Sequence, residues 1–193
     1  MNKQIFLFTC LILLTVLASA QDLETFNTER LSMNKAGMLV LGSWATLNLV
    51  SSPILASQAT GSRKFFYQMN GYWNTVNFAL AAFGYYSATT ADPSAFSLSQ
   101  SIAEQQSLEK ILLFNAGLDI GYVATGFYLM ERSSRNDSDR LKGFGQSLIL
   151  QGSFLFAFDL GFYLVQQANC DQLLKFVDRL ALSPTGFSMI WKI

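Results

Sequence analysis

Four long apolar stretches dominate the chain, at about residues 36–57, 65–87, 108–130 and 145–167, and three polar connections separate them: QATGSRK, TTADPSAFSLSQSIAEQQ and ERSSRNDSDRLK. Each stretch has the roughly 20 mainly apolar residues that a helix needs to cross ~30 Å of hydrocarbon. A soluble helix shows a charged face every few residues. These four carry only Glu109 and Lys110 near one end, plus Asp119 and Asp159. The pattern therefore predicts an all-α fold, an integral membrane four-helix bundle forming one domain over residues 21–193. The connections read as a short turn, a long Ser-rich loop and a charged turn.

The polar minority inside the stretches falls at helical spacing, where i, i+4 and i+7 share a face. GSWATLN at 42–48 is echoed by GYWNTVN at 71–77. In the first stretch Trp44, Asn48 and Ser51 form a stripe, and in the second Asn70, Asn74 and Asn77 do, with Trp73 beside them. Asn115, Asp119 and Tyr122 repeat the geometry, and the fourth stretch spaces Gly145, Gly152, Asp159 and Gln166 by sevens, with Gln151 at the margin. Asn48, Asn77, Asp119 and Asp159 all lie near mid-stretch. A carboxylate facing lipid at that depth costs about 2.5 kcal/mol or more, so the stripes are expected to face one another or a wet cavity. The expected central layer comprises Asn48, Asn74, Asn77, Asn115, Asp119, Gln151 and Asp159, with Trp44 and Trp73 as walls or indole donors.

Two readings of this layer follow. In one, its hydrogen bonds fix helix register, each contributing about 0.6 and at most about 2 kcal/mol, while the GxxxG of Gly117 and Gly121 lets helices pack closely. The other starts from the acids: two carboxylates share a depth with no Lys, Arg or His in the middle of any span. A shared proton or a bound cation relieves their repulsion, and both are features of transport and ligand sites. On that reading Asp119 and Asp159, lined by the layer's amides, the two tryptophans and Tyr122, are candidate ligand- or ion-binding residues.

The amino end, MNKQIFLFTCLILLTVLASAQ, has the parts of a secretory signal: Lys3, an apolar run from Ile5 to Leu17, and Ala18-Ser19-Ala20. Cleavage is expected after Ala20, which removes Cys10, a poor match to a lipoprotein box. Cys170 then remains as the sole cysteine, so no internal disulfide is expected. With a cleaved signal the mature amino end starts outside, and four spans return the carboxyl end there. Arg63-Lys64 and the Arg132, Arg135, Arg140 and Lys142 cluster then become cytoplasmic, in keeping with the positive-inside rule. Residues 171–182, DQLLKFVDRLAL, read as an amphipathic helix at the outer surface, and the segment before the first span is expected to pack there too, through Leu23, Phe26 and Leu31.

Composition narrows the partners. Of the 193 residues 51% are hydrophobic and 13% charged, and a mean hydropathy of +0.28, modest for four spans, gives a soluble helical protein some force as the alternative. Basic and acidic residues balance at 13 each, leaving no electrostatic footprint for nucleic acid. The chain contains no histidine, which excludes His-based triads, HExxH zinc sites and haem ligation by His. No GxSxG elbow or phosphate loop occurs, and Gly143-Phe144-Gly145 reads as a cap or hinge. No cofactor, metal or catalytic residue is expected. The expected partners are the lipid bilayer and either a second copy of the chain or another membrane protein.

Taken together, the signal-like start, GSWATLNL, YQMNGYWNTVNFALA, LFNAGLDIGY and LQGSFLFAFD resemble a family of uncharacterised four-span bacterial membrane proteins. The resemblance implies the four-span fold and a place in the bacterial cytoplasmic membrane. It carries no activity and transfers no catalytic residue. Two function classes stand: an assembly or structural membrane component whose polar layer serves packing, and a small proton- or cation-linked transporter or ligand binder.

Overall fold

The computed structural model describes the backbone of residues 3–181 and the side chains of residues 23–170. Four helices account for nearly all of it: α1 (Lys3–Gln58), α2 (Gly61–Thr90), α3 (Leu98–Asn136) and α4 (Asp139–Ala181), with a 3-10 turn at Pro93–Ala95 between α2 and α3. Each predicted span lies inside one helix, and every helix runs beyond it. The expected signal sequence at residues 1–20 with Cys10, and the expected amphipathic face of residues 171–182, fall where no side chain is described.

The connections are shorter than the sequence suggests. Ser97 and Gln100 form a capping box, with Gln100 N–H donating to Ser97 Oγ at 3.3 Å and Ser97 N–H to Gln100 Oε1 at 2.9 Å. That box starts α3 at Leu98, so the second half of the expected Ser-rich loop is helix. At the other end α3 runs through the charged residues to Asn136, supported by the exposed Arg135–Glu131 pair at 2.9 Å, and stops where Asp137 turns left-handed at φ 46°.

The distribution of polarity is inverted relative to a water-soluble bundle. Asn27, Asn74, Ser101, Gln105, Ser147, Gln151 and Gln166 are the most completely buried large side chains, whereas Leu47, Phe83 and Phe114 are 69%, 74% and 68% exposed. The exposed large apolar residues run from Leu39 to Leu55, Tyr72 to Tyr86, Ile111 to Tyr128 and Leu150 to Val165, one set per helix. At 1.5 Å per residue each set covers about 21–26 Å of helix, close to the thickness of a hydrocarbon core. Among the described residues three helices are long and apolar enough to cross a membrane, within Leu23–Gln58, Leu98–Asn136 and Asp139–Cys170. Helix α2 has the length, but its inward-facing Asn70, Asn74 and Asn77 are among the residues that lower its average hydropathy.

The helices pack as two antiparallel hairpins, α1 with α2 and α3 with α4, joined mainly through α4 against α2 and α1. Helix α3 meets α1 only slightly, and α2 and α3 make no close backbone approach. A groove floored by α4 therefore separates them. Glycines set the closest contacts. A Cβ on Gly145 would sit 2.6 Å from Gly126 O, and one on Gly126 would sit 2.7 Å from Gly145 O, so α3 and α4 touch backbone to backbone. Gly143 likewise meets Ser62 O and Phe66 N of α2. The Gly143-Phe144-Gly145 segment is thus a packing device inside α4 rather than a cap or hinge. The GxxxG expectation is also corrected: a Cβ on Gly117 or Gly121 would meet nothing within 4 Å, because both face outward from the bundle.

The segment before the first span is a direct continuation of α1, not a separate surface helix. Phe26 is buried against Leu23, Leu98 and Ile102, Asn27 Nδ2 donates to Pro93 O at 3.3 Å, and the Arg30 guanidinium lies 4.9 Å from the Phe96 ring centroid. This collar clamps the 91–97 connection. Within that connection the Ser94 hydroxyl and amide hold the exposed Asp92 carboxyl below the usual carboxylate range.

Candidate functional site

The expected single polar layer is two separate constellations. The first is a hydrogen-bonded clamp across three helices. Trp44 Nε1 of α1 donates to Gln151 Oε1 of α4 at 2.9 Å, Gln151 Nε2 donates to Asn70 Oδ1 of α2 at 3.1 Å, and Ser147 Oγ donates to the same oxygen at 2.5 Å. Phe154 stacks on Trp44 with ring centroids 3.9 Å apart and planes 8° apart, which holds the indole in line. Gln151 is engaged at both ends of its amide and is not among the residues that line the cavity of the aspartates.

The second constellation lines a cavity of about 220 Å³ at the groove between α2 and α3. Asn77, Asn115, Asp119 and Asp159 supply its polar lining, and Leu41, Trp73, Leu80, Tyr122, Leu155 and Phe158 are among its apolar and aromatic walls. The i, i+3 and i+4 spacings that place Asn115, Asp119 and Tyr122 on one face of α3 turn all three towards it. Asp119 of α3 and Asp159 of α4 line the same cavity. Asp119 is 2% exposed and its Oδ2 is buried with no hydrogen-bond partner. No basic residue lines the cavity. Trp73 and Tyr122 meet edge to face across the groove, centroids 4.7 Å apart and planes at 80°. Elsewhere the rim is apolar: Val76 is 61% exposed, and Leu80 and Leu118 flank it.

The remaining expected residues fall between or outside these groups. Asn74 is buried completely, donating to Asn70 O at 2.8 Å and accepting from Asn77 Nδ2 at 3.4 Å, which links clamp to cavity along α2. Asn48 joins neither. Its amide donates to Trp44 O of its own helix at 2.9 Å, and Ala45 and Ser52 occupy the buried face instead. Asn70 and Ser147 are clamp residues that the expected layer omitted. Ser147 stands one turn before Gln151, the signal that finds it. A further polar group sits towards the collar, where Gln105 Nε2 donates to Gln166 O at 2.9 Å and Gln166 Nε2 to Asn34 Oδ1 at 2.7 Å. Gln105 was expected in a loop and lies on α3.

A family model matches residues 40–160, more than half of the chain. The chain belongs to DUF6992, a family of unknown function. No curated protein and no solved structure matches it. In this DUF6992 member the matched region holds the whole clamp and every residue lining the cavity, from Leu41 to Asp159. The collar residues Phe26, Asn27 and Arg30, and Gln166 on α4, lie beyond it. Among the described residues no three His, Cys, Asp or Glu side chains group as a metal site. What the DUF6992 cavity offers chemically is two adjacent carboxyls and two amides within apolar walls.

Proposed function

We propose that this chain is a four-span protein of the bacterial cytoplasmic membrane, both mature termini outside, that binds a small cation or protonated ligand at Asp119 and Asp159. One observation carries the reading: Asp119 Oδ2 is buried without a partner beside a second carboxyl, on a cavity lined by no basic residue. Buried acids inside a bilayer are costly, and a bound proton or cation offsets that cost. The crossing of α2 is supported by the exposed Tyr72, Val76, Leu80, Phe83 and Tyr86, an apolar face like those of the other three helices. Asp119→Asn and Asp159→Asn preserve shape and hydrogen bonding while removing the negative charge. Each variant should express and remain monodisperse yet lose proton- or ammonium-linked binding measured by calorimetry in nanodiscs. Wild-type behaviour in both would count against the site.

A second reading, a membrane assembly component, is favoured by the outward Gly117 and Gly121, which leave open space on the lipid-facing side of α3. Native mass spectrometry separates the two roles. Under this reading Gly121→Leu shifts the wild-type stoichiometry towards the single chain, and an unchanged spectrum argues against it.

A further inference from the structure

Resting on the carboxyl-pair reading, the geometry points to an amphiphilic amine as the ligand: a protonated amino head between Asp119 and Asp159, and an apolar tail leaving sideways into lipid between α2 and α3. Three observations lead there, and the first is charge. The two acids share a buried site, the cavity holds no basic side chain, and Asp119 Oδ2 has an unused acceptor. An ammonium group supplies both the positive charge and up to three donors, which suits two carboxyls with Asn77 and Asn115 beside them.

Lining is the second. Apart from those four residues the walls are apolar or aromatic. A hard inorganic cation takes six or more oxygen ligands and gains nothing from such walls. An alkylammonium gains from burial of its carbons, and Trp73, Tyr122 and Phe158 add rings that attract cations.

Access is the third. The rim residues Val76, Leu80 and Leu118 are 61%, 59% and 41% exposed, they belong to helices that do not approach each other, and they point where the apolar belt faces outward. The exposed lining residues Val76, Leu80 and Leu118 thus mark a lateral opening between α2 and α3. A cavity of about 220 Å³ accommodates a head group and its first few carbons, so a longer chain has to emerge through that rim.

The experiment uses the full chain in zwitterionic nanodiscs, with radiolabelled decylamine as the probe and empty nanodiscs as the background. Saturable decylamine binding is expected, displaced by unlabelled decylamine and not by decanol. Asp119→Asn and Asp159→Asn should each weaken it by about tenfold or more, the scale of losing a charge-assisted contact. Leu118→Trp, at an exposed rim position, should weaken decylamine by a similar factor and methylammonium by a smaller one, and an equal loss of both counts against exit of the tail at this rim. Displacement by decanol equal to that by decylamine, or full binding by both Asn variants, overturns the inference. Asp-dependent binding of methylammonium without decylamine binding overturns the lateral amphiphile and leaves the carboxyl-pair reading standing. Absence of both overturns the two together.

Discussion

Gln151 and Asp119 are both buried polar residues on facing helices, yet they stand in opposite situations. Gln151 accepts from Trp44 and donates to Asn70, so truncating it strands an indole N–H. Asp119 has an oxygen with no partner to strand. Gln151→Leu should therefore lower the thermal midpoint in detergent, by the equivalent of about 1–2 kcal/mol given the measured range for bonds inside membranes, whereas Asp119→Asn should leave it nearly unchanged. Equal losses in a thermal-shift assay would contradict the division between clamp and cavity. The sequence placed all of these side chains on inward stripes, because the 3.6-residue period fixes the face. It did not separate the half-buried Asn48 from the buried Asn74 and Asn77, because all three amides bond within their own helix and only the covering of that face by a neighbouring helix tells them apart.

Among the helices, glycine positions discriminate between faces. Gly126 and Gly145 bring α3 and α4 into backbone contact, while Gly121 on the same α3 looks outward. Gly145→Leu should force the two helices apart, destabilising the fold by at least about 2 kcal/mol, the scale of overpacking a tight contact. Gly121→Leu should leave the monomer's thermal midpoint unaltered. Both spacings are visible in the sequence, but a GxxxG motif names a face and not its partner. Helix α2 offers a second test at this scale. Cysteines introduced at Ser62 and Thr89, in a background with Cys170 replaced by Ser, should react with a membrane-impermeant maleimide from opposite sides of sealed vesicles. Labelling of both from one side would show that α2 does not cross. Its existence was legible from the length of the apolar stretch at 65–87. The extension of α3 back to Leu98 was not, because Ser-rich sequence reads equally as loop and as a capped first turn.

For the molecule as a whole, the governing feature is a polar interior wrapped in apolar surface. The exposed Leu, Phe, Val and Tyr side chains form a belt on all four helices, and the largest fully buried side chains are amides. Such a particle should stay in the membrane pellet through an alkaline carbonate wash, and recovery in the aqueous fraction would overturn its placement in lipid. The sequence by itself determined the helical class, the four apolar stretches, the inward turn of both acids and of the amides other than Asn48, and the absence of a basic residue near the two carboxyls. These follow from local rules: period, hydropathy and the cost of burying charge, each of which acts along a single helix. Only the tertiary structure decided that Trp44, Asn70, Ser147 and Gln151 close on one another. The same is true of α3 standing off from α2, and of the groove that opens beside Asp119 and Asp159 as a result. Those outcomes depend on which helices meet, and that is set by shape complementarity at glycines and aromatic rings on different parts of the chain, which no single stretch encodes.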